Sequence, residues 1–153
     1  MAKKILFSSV LTTAILEAIR DTVGLQPTVV FYGVAPGKEV PLSCEVPEGT
    51  DYGYVIAESQ CPDSSWLGQY PLAWEMRNTA GTWLAVTVDV GEIVYARVID
   101  PITREAFMQS EVDVDGPDPL TAFRMDTVTV TEVGQVITMA DILFVTPQHP
   151  SAT

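Results

Sequence analysis

The chain has 153 residues, of which 47% are apolar and 18% charged, and its 20 acidic and 8 basic residues give a formal net charge of −12. A chain of this composition is not disordered, and at this length it can bury roughly 70% of its unfolded surface around one core, which favours a single domain. Because no stripe of lysine and arginine interrupts the acidic sequence, its surface would repel phosphate, and we expect no nucleic acid among its partners.

No stretch reaches the 18 or so uninterrupted apolar residues that a membrane span requires, so we expect no membrane contact. The apolar run after Lys3 and Lys4 is broken by serines and threonines, which is not typical of a secretory signal. We therefore expect synthesis in the cytoplasm, where Cys44 and Cys61 would be thiols rather than a disulfide. The sequence alone leaves both states of the two cysteines open.

The first predicted element is a helix. Ser9 is a candidate N-cap, apolar residues recur at three- and four-residue spacing as far as Val23, Gly24 ends the pattern and Pro27 prevents its resumption. The helix is predicted to cover a sheet of its own domain. The alternative is an arm that docks on a neighbouring subunit.

The first strands are predicted at residues 28–33 and 52–59, with a long loop at 34–51 between them. A second loop at residues 60–70 would expose Trp66, Leu67 and Tyr70. Residues 72–77 and 83–88 alternate in polarity around an Asn-Thr-Ala-Gly turn, which predicts a hairpin. Trp74 and Trp83 would then be core residues rather than a sugar-binding platform.

The clearest unit is a hairpin at residues 91–112. Val94, Ala96 and Val98 share one face of its first strand, and the opposite face also carries large side chains, which predicts a central strand covered on both sides. Asp100 and Pro101 then supply a type I turn. In the returning strand, Ala106, Met108 and Val112 are predicted to join Val94, Ala96 and Val98 in one core.

After an acidic loop at residues 113–119, short strands are predicted at 120–125 and 127–131, and a last strand at 136–145. About eight or nine strands with one helix predict a mainly β chain, a jelly-roll-like antiparallel β-sandwich with one N-terminal amphipathic helix. The expected organisation is a single domain, 1–153. It consists of an N-terminal segment and helix at 1–26, the β-sandwich at 27–146 and a tail at 147–153.

Catalytic chemistry is not indicated. His149 is the single histidine and lies in the tail, and the sequence contains no CxxC pair, P-loop or GxGxxG motif. We therefore expect no enzymatic activity, no catalytic residue, no cofactor and no metal.

The acidic loop could imitate a calcium site, because Asp113, Asp115 and Asp118 surround Gly116. Pro117 interrupts the pattern and no glutamate closes it, so we interpret the loop as solvated. A glycosidase pair among the acidic residues is disfavoured for lack of a cleft signal.

Three features together resemble small structural proteins of tailed bacteriophages: a short polar start into a helix, a compact series of β-hairpins and the lack of catalytic residues. The segments that carry the resemblance are residues 27–32, residues 91–100 with Tyr95-Ala96-Arg97, and Val133-Gly134-Gln135 leading to Val145-Thr146-Pro147. The resemblance implies a virion component with a sandwich fold, and among such proteins a capsid decoration or cement protein is our first assignment.

That assignment implies a protein on the capsid exterior that binds the major capsid protein and stabilises contacts between its copies. The alternatives are a tail or baseplate adaptor or fibre domain and, less favoured, a carbohydrate-binding module. The neutral surface of the chain leads us to expect a homo-oligomer, and we predict a trimer. Candidate partner contacts are the residues without a periodic core role: Lys3, Lys4, Leu6, Phe7, Trp66, Leu67 and Tyr70.

Overall fold

The computed structural model describes residues 8–24, 28–48, 53–60, 66–69, 73–76, 84–114, 123–139 and 142–145. These residues form one helix, α1 (Ser9–Val23), and twelve strands. The strands are β1 (Thr28–Gly33), β2 (Tyr54–Gln60), β3 (Trp66–Gln69), β4 (Ala73–Met76), β5 (Leu84–Thr87), β6 (Gly91–Glu92), β7 (Tyr95–Ile99), β8 (Ala106–Val114), β9 (Phe123–Met125), β10 (Thr129–Val130), β11 (Val136–Thr138) and β12 (Ile142–Val145).

The strands form three sheets. A seven-stranded sheet has the order β11-β5-β2-β1-β7-β8-β9, a second sheet pairs β10 with β6, and a third has the order β12-β4-β3. Neighbouring strands are antiparallel except for β8 and β9, which are parallel. The prediction of a mainly β chain with antiparallel sheets and an N-terminal helix is confirmed.

The centre of the large sheet is the pair β1 and β7. All residues of both strands are buried, as expected for β-branched and aromatic segments that are covered on two faces. The predicted turn after β7 is also present: Asp100 Oδ1 accepts hydrogen bonds from the backbone N–H groups of Ile102 (2.8 Å) and Thr103 (3.1 Å). The predicted central hairpin is therefore confirmed as β7 and β8.

The two faces of the large sheet contribute to two apolar clusters. The larger contains Val29, Phe31, Ala96 and Val98, and it also takes in Ile93 beside β6 and Val130 of β10. The smaller is formed by Val30, Tyr32, Tyr95 and Ile99. Residues 34–48, which we call the strap, lie against this second face.

Ala106 and Val94 were predicted to join the larger cluster, and that prediction is wrong. Both pack against the smaller one, whereas Met108 and Val112 lie against the larger as predicted. The reason at Ala106 is a change of register in the β7–β8 pairing between Val98 and Ile99, because one extra residue reverses the faces that follow it.

Helix α1 begins one residue later than its cap. The Ser8 hydroxyl accepts a hydrogen bond of 3.2 Å from the Leu11 N–H, so Ser8 rather than the predicted Ser9 is the N-cap. Gly24, with φ of 90°, follows the last turn. Ile19 and Val23 pack against the larger cluster, while Val10 near the helix start is exposed, so the helix covers its own sheet through its C-terminal half.

Three further predictions need correction. The predicted hairpin of residues 72–77 and 83–88 does not form, because β4 lies in the three-stranded sheet and β5 in the seven-stranded one. The predicted loop at 60–70 contains strand β3, which pairs with β4. The predicted last strand is divided into β11 and β12, which belong to different sheets.

Candidate functional site

A buried arginine organises the second face of the large sheet. Arg97 is 3% exposed at the centre of β7. Its Nε donates a hydrogen bond to Gln109 Oε1 (2.9 Å), and its Nη1 and Nη2 donate to the backbone carbonyls of Val46 (2.6 Å) and Ser43 (3.2 Å). Gln109 in turn donates to the carbonyl of Pro41. These bonds hold the strap on the sheet, because a buried guanidinium is tolerated only when its donors are satisfied.

Two aromatic rings complete the environment of Arg97. The rings of Tyr32 and Tyr95, neighbours on β1 and β7, are stacked with their centroids 4.7 Å apart and their planes 10° from parallel. The guanidinium carbon of Arg97 lies 5.9 Å from both ring centroids. That distance is within the range of a cation–π interaction, which further stabilises the buried charge.

A second arginine joins the end of the strap to the sheet. Nε of Arg104 donates a hydrogen bond of 2.8 Å to Glu48 Oε1, and Nη2 donates a second of 2.8 Å to Glu48 Oε2. Nη2 also contacts Glu58 of β2. Tyr32 donates its hydroxyl to Glu48 Oε2 at 2.7 Å. The bidentate geometry makes this pair stronger and more directional than a simple ion pair. We call Tyr32, Glu48, Glu58, Arg97 and Arg104 the polar cluster.

The backbone of Arg104 is part of the arrangement. Its φ is 60°, and among the residues that the structure describes no other non-glycine residue has a positive φ. Its N–H donates to the carbonyl of Asp100 at 2.8 Å, and Asp100 donates its N–H to the Glu105 carbonyl at 2.9 Å. A left-handed residue closes this turn, and glycine or asparagine would be the usual choice. From this backbone conformation the Arg104 side chain reaches Glu48 and Glu58.

The environment changes the acidity of three members of the cluster. Burial alone would raise the pKa of the Glu48 carboxyl, but hydrogen bonds from Arg104 and Tyr32 outweigh it and lower the pKa below its ordinary value. Burial, and then the hydrogen bond to Glu48, raise the pKa of Tyr32 well above its ordinary value. Hydrogen bonds to Glu48 and Glu58 raise the pKa of Arg104. At neutral pH Arg104 and Glu48 are therefore charged and Tyr32 is neutral.

This arrangement is suited to holding structure rather than to proton transfer. A general acid at neutral pH needs a carboxyl with a raised pKa, whereas Glu48 has a lowered one. Glu58 accepts from the same guanidinium nitrogen as Glu48. The two carboxylates are therefore bridged by a permanent cation and do not resemble a glycosidase pair.

A cleft of about 320 Å³ opens beside the polar cluster, between the strap and the β7–β8 turn. Arg97 and Arg104 lie on its wall, as do Glu45 and Glu105. Cys44, a free thiol, also lines it. Because its lining combines two arginines with two glutamates, the cleft offers no surplus charge that would select an anion.

A second candidate site is apolar. Leu84 and Val86 of β5 and Val136 of β11 are 45%, 53% and 53% exposed. Ala85, which lies between Leu84 and Val86, and its partner Ile137 on β11 are fully buried. Val136 lies opposite Val86 in the register of the two strands. We call the surface formed by Leu84, Val86 and Val136 the β5–β11 face. Exposed aliphatic side chains grouped on one sheet surface are typical of contact sites for other proteins.

The residues predicted as partner contacts are placed only in part. Trp66 and Leu67 lie in β3, opposite Met76 and Glu75 of β4. Lys3, Lys4, Leu6, Phe7 and Tyr70 lie outside the described residues, as do His149 and most of the predicted acidic loop. The contact role of these residues stays a prediction.

Sequence reasoning missed most of the polar cluster and the whole β5–β11 face. The alternation of residues 93–99 puts Arg97 on the second face of a strand predicted to be covered on both sides, and a charge in such a place has to be satisfied inside the protein. Glu48 and Arg104 gave no signal, since they are 56 residues apart and each lies in a segment predicted as loop or turn. At β5, Leu84 and Val86 alternate with Ala85, but no prediction was made of which side chains of this strand are exposed.

Among the described residues, no group of three histidine, cysteine or acidic side chains could hold a metal ion. In the same part of the chain, no helix is long and apolar enough to cross a membrane. No protein-family model, curated protein or solved structure matches the chain. The functional proposal therefore rests on the geometry of these sites and on the resemblance drawn from the sequence.

Proposed function

We propose that the chain is a non-enzymatic structural protein of a tailed-phage virion, a capsid decoration protein that binds the outside of the head. There it would stabilise contacts between copies of the major capsid protein. The observation that carries the proposal is the exposed β5–β11 face on a strongly acidic chain. Such a surface is suited to apolar contact with protein and unsuited to contact with packaged nucleic acid.

The polar cluster supports a structural role. Arg97 and Arg104 fasten the strap to the sheet through hydrogen bonds to Val46, Ser43 and Glu48, so the guanidinium groups are used for rigidity. A protein that reinforces a shell has to keep its shape under load, and satisfied buried polar networks favour one rigid arrangement.

We further propose that the sheets enclose the larger cluster as a sandwich of jelly-roll type. Support comes from the composition of that cluster, which combines Val29, Phe31 and Val98 of the large sheet with Ile93 and Val130 at the two-stranded sheet. A core to which two sheets contribute side chains is the arrangement expected of a sandwich. The connectivity that would define a jelly roll stays a prediction.

The proposal is tested by counting copies. Quantitative mass spectrometry of phage particles purified from the source of this chain should give a copy number comparable with that of the major capsid protein. A few copies per particle would contradict the decoration role and support the tail or baseplate alternative. If the chain were absent from purified particles, the whole virion proposal would be wrong.

The predicted contact residue Trp66 provides a second test. Truncation of a buried aromatic anchor costs about 2 kcal/mol or more of binding free energy, so Trp66→Ala should lower the occupancy of the chain on particles. Gln69→Ala, at the end of the same strand β3, is the control, with folding of both variants checked by circular dichroism. If a folded Trp66→Ala variant bound particles as tightly as the natural chain, Trp66 would not be a contact.

A further inference from the structure

Residues 34–48, the strap, contain no helix or strand and lie over the second face of the large sheet. We propose that the strap is a lid that opens as one unit and exposes this face while the sheets stay folded. The proposal goes beyond the proposed function and does not depend on it. Its experiment uses the purified chain alone, so that either proposal can fail without the other.

The strap crosses the large sheet at one level of its strands. Four residues lie side by side there in the strand register: Glu58 of β2, Val30 of β1, Arg97 of β7 and Gln109 of β8. The strap meets the polar members of this row in its own chain order: Pro41 accepts from Gln109, Ser43 and Val46 accept from Arg97, and Glu48 is joined to Glu58 through Arg104. The strap therefore lies as one layer across four strands.

These contacts with the sheet come from side chains, not from a ladder of backbone hydrogen bonds. Two backbone hydrogen bonds of the strap stay inside it, from Lys38 to Ala35 (3.0 Å) and from Val46 to Ser43 (3.3 Å). Most residues of the strap are exposed, and Leu42 is completely so. A segment with few buried apolar groups and an irregular backbone opens at a lower free energy than the sheet on which it lies.

The strands beneath the strap have partners of their own. β1 pairs with β2 on one side and with β7 on the other, and β7 also pairs with β8. On the opposite face of these strands, Val29 and Val98 are fully buried in the larger cluster. The strands would therefore stay paired, and packed on that face, when the strap opens.

Opening would expose an aromatic and basic surface on a chain whose net charge is −12. The stacked rings of Tyr32 and Tyr95 lie there beside Arg97, together with Val30 and Ile99, and each of these residues is at most 3% exposed in the closed form. Because exposure of apolar side chains costs free energy, we expect the open form to be a minor population. The strap thus controls access to this surface.

The experiment compares two buried cysteines on one strand. Val29 and Val30 are neighbours on β1 and both are 0% exposed, but Val29 belongs to the larger cluster and Val30 to the smaller one, which the strap covers. Cys44 and Cys61 are replaced by serine, and Val29→Cys or Val30→Cys is introduced into that chain. The rate of labelling by a thiol reagent is measured at low urea concentrations, relative to the rate of the same variant in the unfolded state.

Val30→Cys should be labelled at least about tenfold faster than Val29→Cys. Its rate should also depend less steeply on urea, because opening of the strap exposes less surface than unfolding of the whole chain does.

Glu48→Gln tests the attachment at the end of the strap. The substitution weakens the contact with Arg104 in the closed form, so labelling of Val30→Cys should become about tenfold faster and keep its shallow dependence on urea. Glu39→Gln is the matched control, since Glu39 is an exposed residue of the same strap. It should leave the rate unchanged within about twofold.

Equal relative rates and equal urea dependences of Val30→Cys and Val29→Cys would overturn the proposal, because the strap would then open only when the whole chain unfolds. A rate of Val30→Cys that does not respond to Glu48→Gln would also overturn it. Neither result would affect the decoration role. Circular dichroism establishes that each variant is folded. If a variant of the β1 pair does not fold, Ile99→Cys and Val98→Cys give the same comparison on β7, since Ile99 lies in the smaller cluster and Val98 in the larger.

Discussion

Arg104 and Glu48, 56 residues apart in the sequence, are joined by two hydrogen bonds of 2.8 Å that connect the end of the strap to the turn after β7. The pair closes a segment that Arg97 has already fixed to the sheet through Val46 and Ser43. The strap therefore depends on a small number of charged contacts. Their removal should have measurable effects on stability.

Glu48→Gln should destabilise the fold by about 1 to 3 kcal/mol, because it replaces a charged, bidentate acceptor of Arg104 and Tyr32 by a neutral amide. The free energy of unfolding in urea measures the effect. Glu45→Gln, at an exposed position in the same strap, is the control and should change stability by no more than about 0.5 kcal/mol. Equal effects of the two substitutions would mean that the pair does not hold the strap.

Arg104→Gly and Arg104→Ala separate the ion pair from the backbone. Both remove the contacts with Glu48 and Glu58, but glycine adopts a φ of 60° without the cost that alanine incurs. Arg104→Gly should therefore be more stable than Arg104→Ala by about 0.5 to 1 kcal/mol in urea unfolding. At the neighbouring Thr103, the same pair of substitutions should give the reverse order or no difference. An alanine variant as stable as the glycine variant would argue against the left-handed backbone at Arg104.

Low pH should weaken the contact through which Glu48 stabilises the strap. Since the folded pKa of Glu48 is lowered, its contribution is present above the ordinary glutamate pKa and is lost as pH falls through the folded value. The difference in unfolding free energy between the natural chain and Glu48→Gln should therefore shrink below about pH 4. Thermal unfolding between neutral pH and about pH 3 measures it. A difference that stayed constant over this range would show that Glu48 does not titrate with the fold.

High pH should lower the stability of the fold because Tyr32 ionises less readily in the folded chain. Its folded pKa is raised, first by burial, so its contribution is complete below the ordinary tyrosine pKa and is lost as pH rises further. Stability should fall above about pH 10, where the unfolded chain ionises its tyrosines and Tyr32 in the folded chain does not. Tyr32→Phe should fall less steeply over the same range, as measured by urea unfolding. Identical slopes for the two proteins would contradict the assignment.

The core makes the strongest prediction for a single substitution. Val98 is fully buried at the centre of the large sheet, so Val98→Asp would bury an unpaired carboxylate. The cost is comparable with the roughly 5 to 15 kcal/mol that hold a domain together, and the variant should not fold as judged by circular dichroism. Val114→Asp, at a half-exposed position on β8, should remain folded. A folded Val98→Asp variant would show that this face of β7 is not in the core.

What the sequence could predict was set by local patterns. The β7–β8 hairpin was visible because Asp100 and Pro101 form a local turn and the flanking segments have the period of two that is expected of strands. The helix was visible from its spacing and from Gly24. In each of these cases, neighbours in the sequence are also neighbours in space.

The errors arose where pairing between strands that are distant in the sequence determines the structure. β4 and β5 look like a hairpin in the sequence, yet each finds partners elsewhere: β4 pairs with β3 and β12, and β5 with β2 and β11. One register shift beside Val98 moved Ala106 to the other face, and no local pattern reports such a shift. The polar cluster was hidden for the same reason, because its two ion pairs to Arg104 join segments 46 and 56 residues apart.

The central claim is that this chain works by contact through an exposed apolar face on a rigid acidic body. A map of the assembled particle at side-chain resolution tests it most directly. The account predicts the chain on the outer surface of the head, with Leu84, Val86 and Val136 covered by the major capsid protein. A chain found inside the shell against nucleic acid or only at the tail tip, or one whose β5–β11 face is open to solvent, would contradict it.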